Sequence, residues 1–353
     1  MPMQFRAQLV ITEPKLIKEV LSNKDGEYPK IKYDDYMKKL LGNGTVTAQG
    51  ENWVKLPSEI IFRTTFGSSY LEGEQIIDML TKLAHLISKN HYKIRISGFG
   101  KFVKTRNDVE SERLEQAIRN CILNMIKKRE ESEVLGRLES FGNDFLGLLI
   151  KANHDADERM KLSVDDAIDE CKTFYVGGHE TTTCSLSWTI LLLAIHTDWQ
   201  EKARKEMGMI VNESLRLYPP VVNLARQIHQ KVVLGNLILP PNVQVAIPIL
   251  AIHHDPQIWG EDADLFKPER FAQGVAKATN NNMAAFLPFG MGPRNCVGSN
   301  FAVIETKIAI SMILQHFRFA LINHLCSFSS LFSHDESQTR NSSQALGSVK
   351  WVS

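Results

Sequence analysis

The sequence predicts a mainly α fold with a minor β region. Two observations lead there. Apolar residues recur at helical spacing over Gln75–Leu86, Val109–Lys128, a long stretch from Ser163 to about His196, and Asn300–His316. The period shortens to that of strands only locally, over Lys231–Leu239 and Val243–Ile249, two runs joined across Pro240-Pro241-Asn242.

Taken in order, Gln8–Ile11 reads as a short strand. Thr12 then caps a helix with Pro14 in its first turn and Leu16, Ile17 and Val20 on one face. Gly42, Gly44 and Gly50 punctuate a loop-and-strand region. Ser163 followed by Asp166 reads as a helix cap with an acidic first turn. A short helix carries Glu213 to Leu217 and stops at Pro219-Pro220. From Leu321 the chain is Ser-rich without a sustained period. The expected organisation is therefore one domain over residues 1–320 and a loop or disordered tail over 321–353.

The chain has 353 residues, 43% of them hydrophobic, enough for a large core. Lys and Arg number 41 against 40 Asp and Glu, which argues against a nucleic-acid partner. The basic run Lys127-Lys128-Arg129 is followed at once by Glu130 and Glu131, the pattern of a solvated helix face. The 5 cysteines form no Cys-x-x-Cys pair and are odd in number, so neither a zinc site nor a secreted disulfide framework is expected. The most apolar run, Trp188–Ile195, is shorter than the roughly 20 residues needed to span a bilayer. Met1-Pro2-Met3-Gln4 lacks the parts of a signal peptide, so the chain as written reads as soluble or peripherally bound.

The segment with the sharpest chemistry is Phe289-Gly290-Met291-Gly292-Pro293-Arg294-Asn295-Cys296-Val297-Gly298. A lone cysteine in a Gly-Pro turn is usually a buried structural residue. Here Phe289, Gly292, Arg294, Cys296 and Gly298 together form the pattern of a haem-thiolate loop, and an apolar helix follows. Glycines allow positive φ and close approach of the backbone to a flat cofactor. In such a loop backbone N–H groups would tune the thiolate, Arg294 would neutralise a haem propionate, and Phe289 would shield the sulfur from water.

Gly177-Gly178-His179-Glu180-Thr181-Thr182 falls inside the long helix. Each glycine there costs about 1 kcal/mol relative to alanine, a loss to be offset by a ligand's close approach or a local opening of the helix. Taken alone, a kink with an incidental polar stripe is an equal reading. A zinc-protease pair fails, because Thr183 stands where the second histidine belongs. Glu213 and Arg216 share a helix face, as do Glu110/Arg113 and Glu201/Arg204. Only the first pair has apolar flanks. His253-His254-Asp255 reads as a cap before Pro256 rather than a metal set.

In their order and spacing, these motifs resemble the cytochrome P450 family, in particular the plant clan that includes secologanin synthase. Gly142-Asn143-Asp144-Phe145 and Phe66-Gly67-Ser68-Ser69-Tyr70 add to that likeness. The resemblance implies a P450-like haem domain, heme b (iron protoporphyrin IX) as cofactor and Cys296 as axial ligand of its iron. Thr181 and Glu180 would deliver protons to bound oxygen. Gly292 and Gly298 would shape the loop, Arg226 would contact a propionate, and Trp53 would bind the cofactor as the tryptophan of a Trp-x-x-x-Arg motif whose arginine holds a propionate. Glu213, Arg216 and Arg270 would form a buried structural triad, with Arg270 supplied by Pro268-Glu269-Arg270-Phe271. The implied reaction inserts one oxygen atom from O₂ into a lipophilic molecule of terpenoid or steroid-like type. The implied partner is an NADPH-dependent reductase, at the cytosolic face of the endoplasmic reticulum membrane.

The sequence also departs from the family. The N-terminal anchor and Pro-rich hinge are missing. Pro57 replaces the arginine expected four residues after Trp53, and the chain passes directly to Arg63-Thr64-Thr65-Phe66. Thr197 and Glu213 stand close where the family fits further helices, and the tail differs. The haem domain is thus expected to be incomplete. Two alternatives follow: an inactive remnant that binds a lipophile, and a reductase-independent haem isomerase or dehydratase. Intact Glu180-Thr181 speaks against the latter.

Overall fold

The computed structural model describes residues 7–23, 25–33, 35–43, 70–91, 105–137, 141–142, 144–155, 161–321 and 349–352. Trp53, Pro57 and Arg63–Ser69 lie outside these residues. The first elements are β1 (Gln8–Val10), α1 (Pro14–Ser22) and α2 (Asp35–Leu41), followed by the long α3 (Tyr70–His91) and α4 (Arg106–Val134). Next come α5 (Phe145–Asn153) and α6 (Val164–Phe174), then a π-helical segment over Tyr175–Glu180 that leads into α7 (Thr181–Ile195). After α8 (Asp198–Leu217) the chain forms β2 (Leu224–Gln227), β3 (Val232–Leu234), β4 (Leu237–Leu239) and β5 (Gln244–Ile247). Short helices α9 (Ile249–His253), α10 (Pro256–Trp259) and α11 (Val275–Ala278) lead to α12 (Ser299–His316), β6 (Arg318–Leu321) and β7 (Val349–Val352).

The mainly α architecture agrees with the periodicity. Three apolar clusters hold it together. One joins α7, α8 and α12 through Leu193, Ile210, Leu217 and Ile310. A second joins α3 to α6 through Ile76, Leu83, Ile118, Leu149 and Ile168. The third packs α1 against the sheet through Ile17, Val20, Val245, Ile247 and Leu287.

Local signals mostly worked. Ser163 and Asp166 form a reciprocal capping box at the start of α6, with Oγ accepting from the Asp166 N–H at 3.1 Å. At α1, by contrast, Glu13 occupies the cap position and no side chain caps it; Thr12 is one residue too early. The glycine pair lies within the π segment, so the helix opens there rather than kinking. The expected short helix at Glu213 is the last part of the longer α8, whose backbone turns non-helical at Glu206 (φ −129°, ψ 30°).

The sheet differs from expectation in one respect. Lys231–Leu239 is a hairpin, β3 against β4, because Gly235 adopts φ +55° and turns the chain. β5 instead pairs parallel with β1 and antiparallel with β2, in the order β1-β5-β2. Of the segment expected to be irregular, Val349–Val352 pairs with β6 in register Arg318↔Val352. Four residues rich in β-formers are too short a run to register as a period, yet they suffice to extend an existing edge.

Helix α12 is apolar on two faces. Thr306, Ile310 and Leu314 are buried, while Phe301, Ile304, Ile308 and Met312 are 43%, 56%, 55% and 60% exposed. No helix among the described residues is long and apolar enough to cross a membrane.

Ser163→Ala removes the cap of α6 and with it about 1 kcal/mol of stability, read as a lower urea midpoint with unchanged slope.

Candidate active site

The Cys296 loop lies between the sheet and α12. Met291 is extended, Gly292–Arg294 form one 3₁₀ turn, and Gly298 caps α12. The Cys296 N–H donates to the Phe289 carbonyl at 2.8 Å, closing the loop on itself. Phe289 is half-buried and packs against the α7–α8–α12 cluster. Gly292 has φ +75°, and a Cβ there would stand 2.1 Å from the Leu21 carbonyl oxygen. The requirement for glycine at this position is therefore set by the end of α1, in addition to any cofactor.

Cys296 is exposed at its surface, yet burial pushes its thiol pKa up, with the Gly298 backbone N–H acting in the opposite direction. A thiol held above its usual range loses its proton when a metal binds it.

Three cations meet beside this loop. Arg226 on β2 is buried, and its backbone forms a bridge with Lys30. The pairing is reinforced by the Gln227 N–H, which donates to the Pro29 carbonyl at 2.8 Å. Burial, then repulsion from Arg294 and Arg226, lowers the Lys30 pKa to about 8. Burial and Arg294 lower Arg226, while Tyr33 opposes the shift. No local signal marks Lys30 or Tyr33, since only β pairing brings residues 30–33 to Arg226.

At the end of the π segment, Thr181 Oγ1 donates to the Gly177 carbonyl at 2.5 Å, a back-bond that supplies a partner where the helical ladder loosens. Gly178, His179 and Glu180 are exposed. Thr81 of α3 donates to Glu180 Oε1 at 3.4 Å. A small recess here is lined by Ile77, Leu80, Ala84 and Val176, with Thr81, Tyr175, His179 and Glu180 around it. Thr182 faces Glu305 of α12, whose carboxyl is raised by burial and held back by His179 and the Thr182 hydroxyl.

Glu213 and Arg216 are both 0% exposed and form a two-point ion pair, with Nε to Oε2 and Nη2 to Oε1 each 2.8 Å. Arg216 also donates to the carbonyls of His253 (2.7 Å) and Leu265 (3.3 Å), and its guanidinium lies 5.2 Å from the centre of the Trp259 ring. Glu213 Oε1 accepts the Lys267 N–H at 3.0 Å. Arg270 joins more loosely: its Nε is 3.5 Å from Glu213 Oε1, while its Nη atoms serve Trp259 O, Asp262 O and Asp262 Oδ1. Glu110/Arg113 is an exposed pair, and Glu201 bonds Arg318. Asp255 caps α10 through the Gln257 N–H at 2.9 Å, as its place before Pro256 suggests.

These residues suit a flat dianionic cofactor such as haem. Nothing lies within 4 Å of where a Cβ would stand at Gly177, Gly178 or Gly298. Cys296 is exposed, and three cations gather beside its loop.

Comparison with known proteins follows the same direction. The profile described as Cytochrome P450 matches residues 54–210 and 207–326. Cytochrome P450 CYP749A22 of Panax ginseng is 46% identical over 385 aligned positions, covering 90% of this chain and 73% of the relative. The 11-oxo-beta-amyrin 30-oxidase of Glycyrrhiza uralensis is 36% identical over 392 positions, covering 89% and 74%. Among solved structures, retinoic acid-bound cyanobacterial CYP120A1 gives a TM-score of 0.68 at 22% identity, covering 88% of this chain and 82% of that one, a likeness of fold. Both sequence alignments are longer than this 353-residue chain, so the relatives carry segments without a counterpart here. The two profile matches meet inside α8, next to the non-helical Glu206.

Glu213→Gln leaves Arg216 buried without its counter-charge and costs about 3–5 kcal/mol, measured by urea denaturation. Lys30 has a folded pKa near 8, below its usual 10.5, so between those values the unfolded chain holds more protons than the native one. This group's contribution therefore makes the cofactor-free protein gain stability as pH rises from about 8 towards 10.5. Lys30→Met removes that gain, as thermal melts across the window will read.

Proposed function

Because the chain belongs to the cytochrome P450 family, with plant relatives of the CYP72 clan type, we propose that it is a monooxygenase with Cys296 as the axial ligand of its haem iron and that it oxidises a lipophilic terpenoid or steroid-like molecule. The observation that carries this reading is the exposed Cys296 beside the Gly298 N–H and the Lys30–Arg226–Arg294 cluster.

Bound haem, as heme b, supplies the activation of O₂ and the oxygen-atom insertion. The chain's residues do the rest. Cys296 binds as thiolate, and the Gly298 N–H moderates its charge. Arg226 and Arg294, joined by Lys30, take the two carboxylates; Trp53 is proposed for the same group. Gly177 and Gly178 leave room for the oxygen side. Thr181 Oγ1 and the Glu180 carboxyl hold and pass protons there. Apolar side chains around the recess beside Glu180 favour a lipophilic substrate and exclude water. Electrons come from NADPH through a separate reductase, and residues 1–320 act as one haem domain. The amyrin-oxidase name of one relative supports the terpenoid class.

The segments that relatives carry beyond this chain favour a second reading, a binding protein without turnover. One experiment separates the two. Haem-loaded protein is reduced under carbon monoxide, then supplied with reductase, NADPH and a panel of triterpenoids. A thiolate-type Soret band that Cys296→Ala abolishes, with product formed, is the expected result. Thr181→Ala keeps the band and lowers turnover by about 100-fold. A band without product across the panel supports the binding reading, and a band unchanged in Cys296→Ala rejects the ligand assignment.

A further inference from the structure

His253 is fully buried and lies outside both the ion pair and the cysteine loop, yet it touches the structure of each. Its Nδ1 is 3.0 Å from the Arg216 carbonyl, and its Nε2 is 2.9 Å from the Leu287 backbone nitrogen. A carbonyl only accepts and an amide N–H only donates. The two partners therefore fix one tautomer: Nδ1–H donates to Arg216, and bare Nε2 accepts from Leu287. Burial agrees, since it is the largest cause lowering the ring's pKa to about 3 and keeps it neutral.

The two bonds have different consequences. Arg216 O belongs to the last turn of α8, where carbonyls lack helical partners, so the first bond closes a helix end. Arg216 answers by donating to the His253 carbonyl at 2.7 Å. The second bond holds the segment leading into the loop. The Leu287 carbonyl accepts the Gly290 N–H at 3.1 Å, a turn that fixes Phe289, and Phe289 O accepts the Cys296 N–H at 2.8 Å. Phe286 stacks on the imidazole with ring centres 5.4 Å apart.

We propose that His253 is a positioning residue for the Cys296 sulfur: a neutral imidazole that ties the Glu213–Arg216 helix end to the loop through Leu287. This rests on Cys296 being the iron ligand. His253 itself touches no cofactor.

Two amide replacements separate its two bonds. Asn places its amide near Nδ1, keeps a donor for Arg216 O and loses the acceptor for Leu287. Gln reaches the Nε2 position and retains an acceptor for Leu287. Haem-loaded wild type, His253→Asn, His253→Gln and Cys296→Ala are compared by reduced carbon-monoxide spectra and by rate of haem loss to an acceptor protein. The expected result is that His253→Asn moves a substantial share of the complex out of the thiolate-type band and loses haem about 10-fold faster or more, while His253→Gln stays close to wild type. Equal spectra in both variants, or the reverse order, overturn the proposal. A thiolate-type band persisting in Cys296→Ala defeats the ligand assignment instead. Should neither His253 variant fold, ¹⁵N-histidine NMR of the unmodified protein decides: an Nδ1–H neutral tautomer from pH 5 to 8 supports the tie, and an Nε2–H or charged ring overturns it.

Discussion

The fully buried pair of Glu213 and Arg216 fixes the geometry on which the rest depends. Two charges removed from water are tolerable only when nearly every donor and acceptor finds a partner. Here that demand is met by backbone: the carbonyls of His253 and Leu265 and the N–H of Lys267 all reach the pair. Satisfying the charges therefore joins the end of α8, the end of α9 and the segment before Pro268 at one point. The same point orients Trp259, whose ring faces the guanidinium. From it the His253 imidazole leads to Leu287 and the cysteine loop. A polar cluster can stabilise little in net terms and still specify an arrangement, because any other arrangement leaves a buried charge unmatched.

The opposite wall uses a different device. Six residues of π-helix interrupt a long helix, and the extra width exposes Gly178, His179 and Glu180. Two glycines lower the steric cost of approach, and the Thr181 hydroxyl partners the Gly177 carbonyl. Weak local helix propensity is tolerated because the flanks are strong. The capping box at Ser163 secures one side, and buried Thr189, Leu192 and Leu193 anchor the other. The opening is thus confined to the six residues between those flanks.

Relatives carry segments without a counterpart in this chain, and the backbone changes course near where the two family matches meet. Helix α8 contains a single non-helical residue, Glu206, beside the place where the two family matches meet. The downstream part still presents Glu213 and Arg216 correctly, because their placement is enforced by the buried bonds rather than by the helix upstream. The apolar outer face of α12, from Phe301 to Met312, is left substantially exposed. Apolar surface of this kind is unusual on a protein free in water.

The sequence by itself determined the helical class, the capping box at Ser163, the motif around Cys296 and the apolar flanks that single out Glu213 with Arg216. Each of these is local chemistry: periodicity, a three-residue cap, a glycine pattern, a pair with apolar flanks. It could not separate β3 from β4, since Gly235 turns inside a run that reads as one strand. Nor could it extend α8 upstream of Glu213 or find the short pairing of Val349–Val352. Only tertiary structure brought Lys30 and Tyr33 to Arg226, set Gly292 against the Leu21 carbonyl, and gave His253 its two partners. These are contacts between distant segments. They are selected by burial and by the need of each enclosed polar group for a partner, a constraint that exists only once the chain has folded.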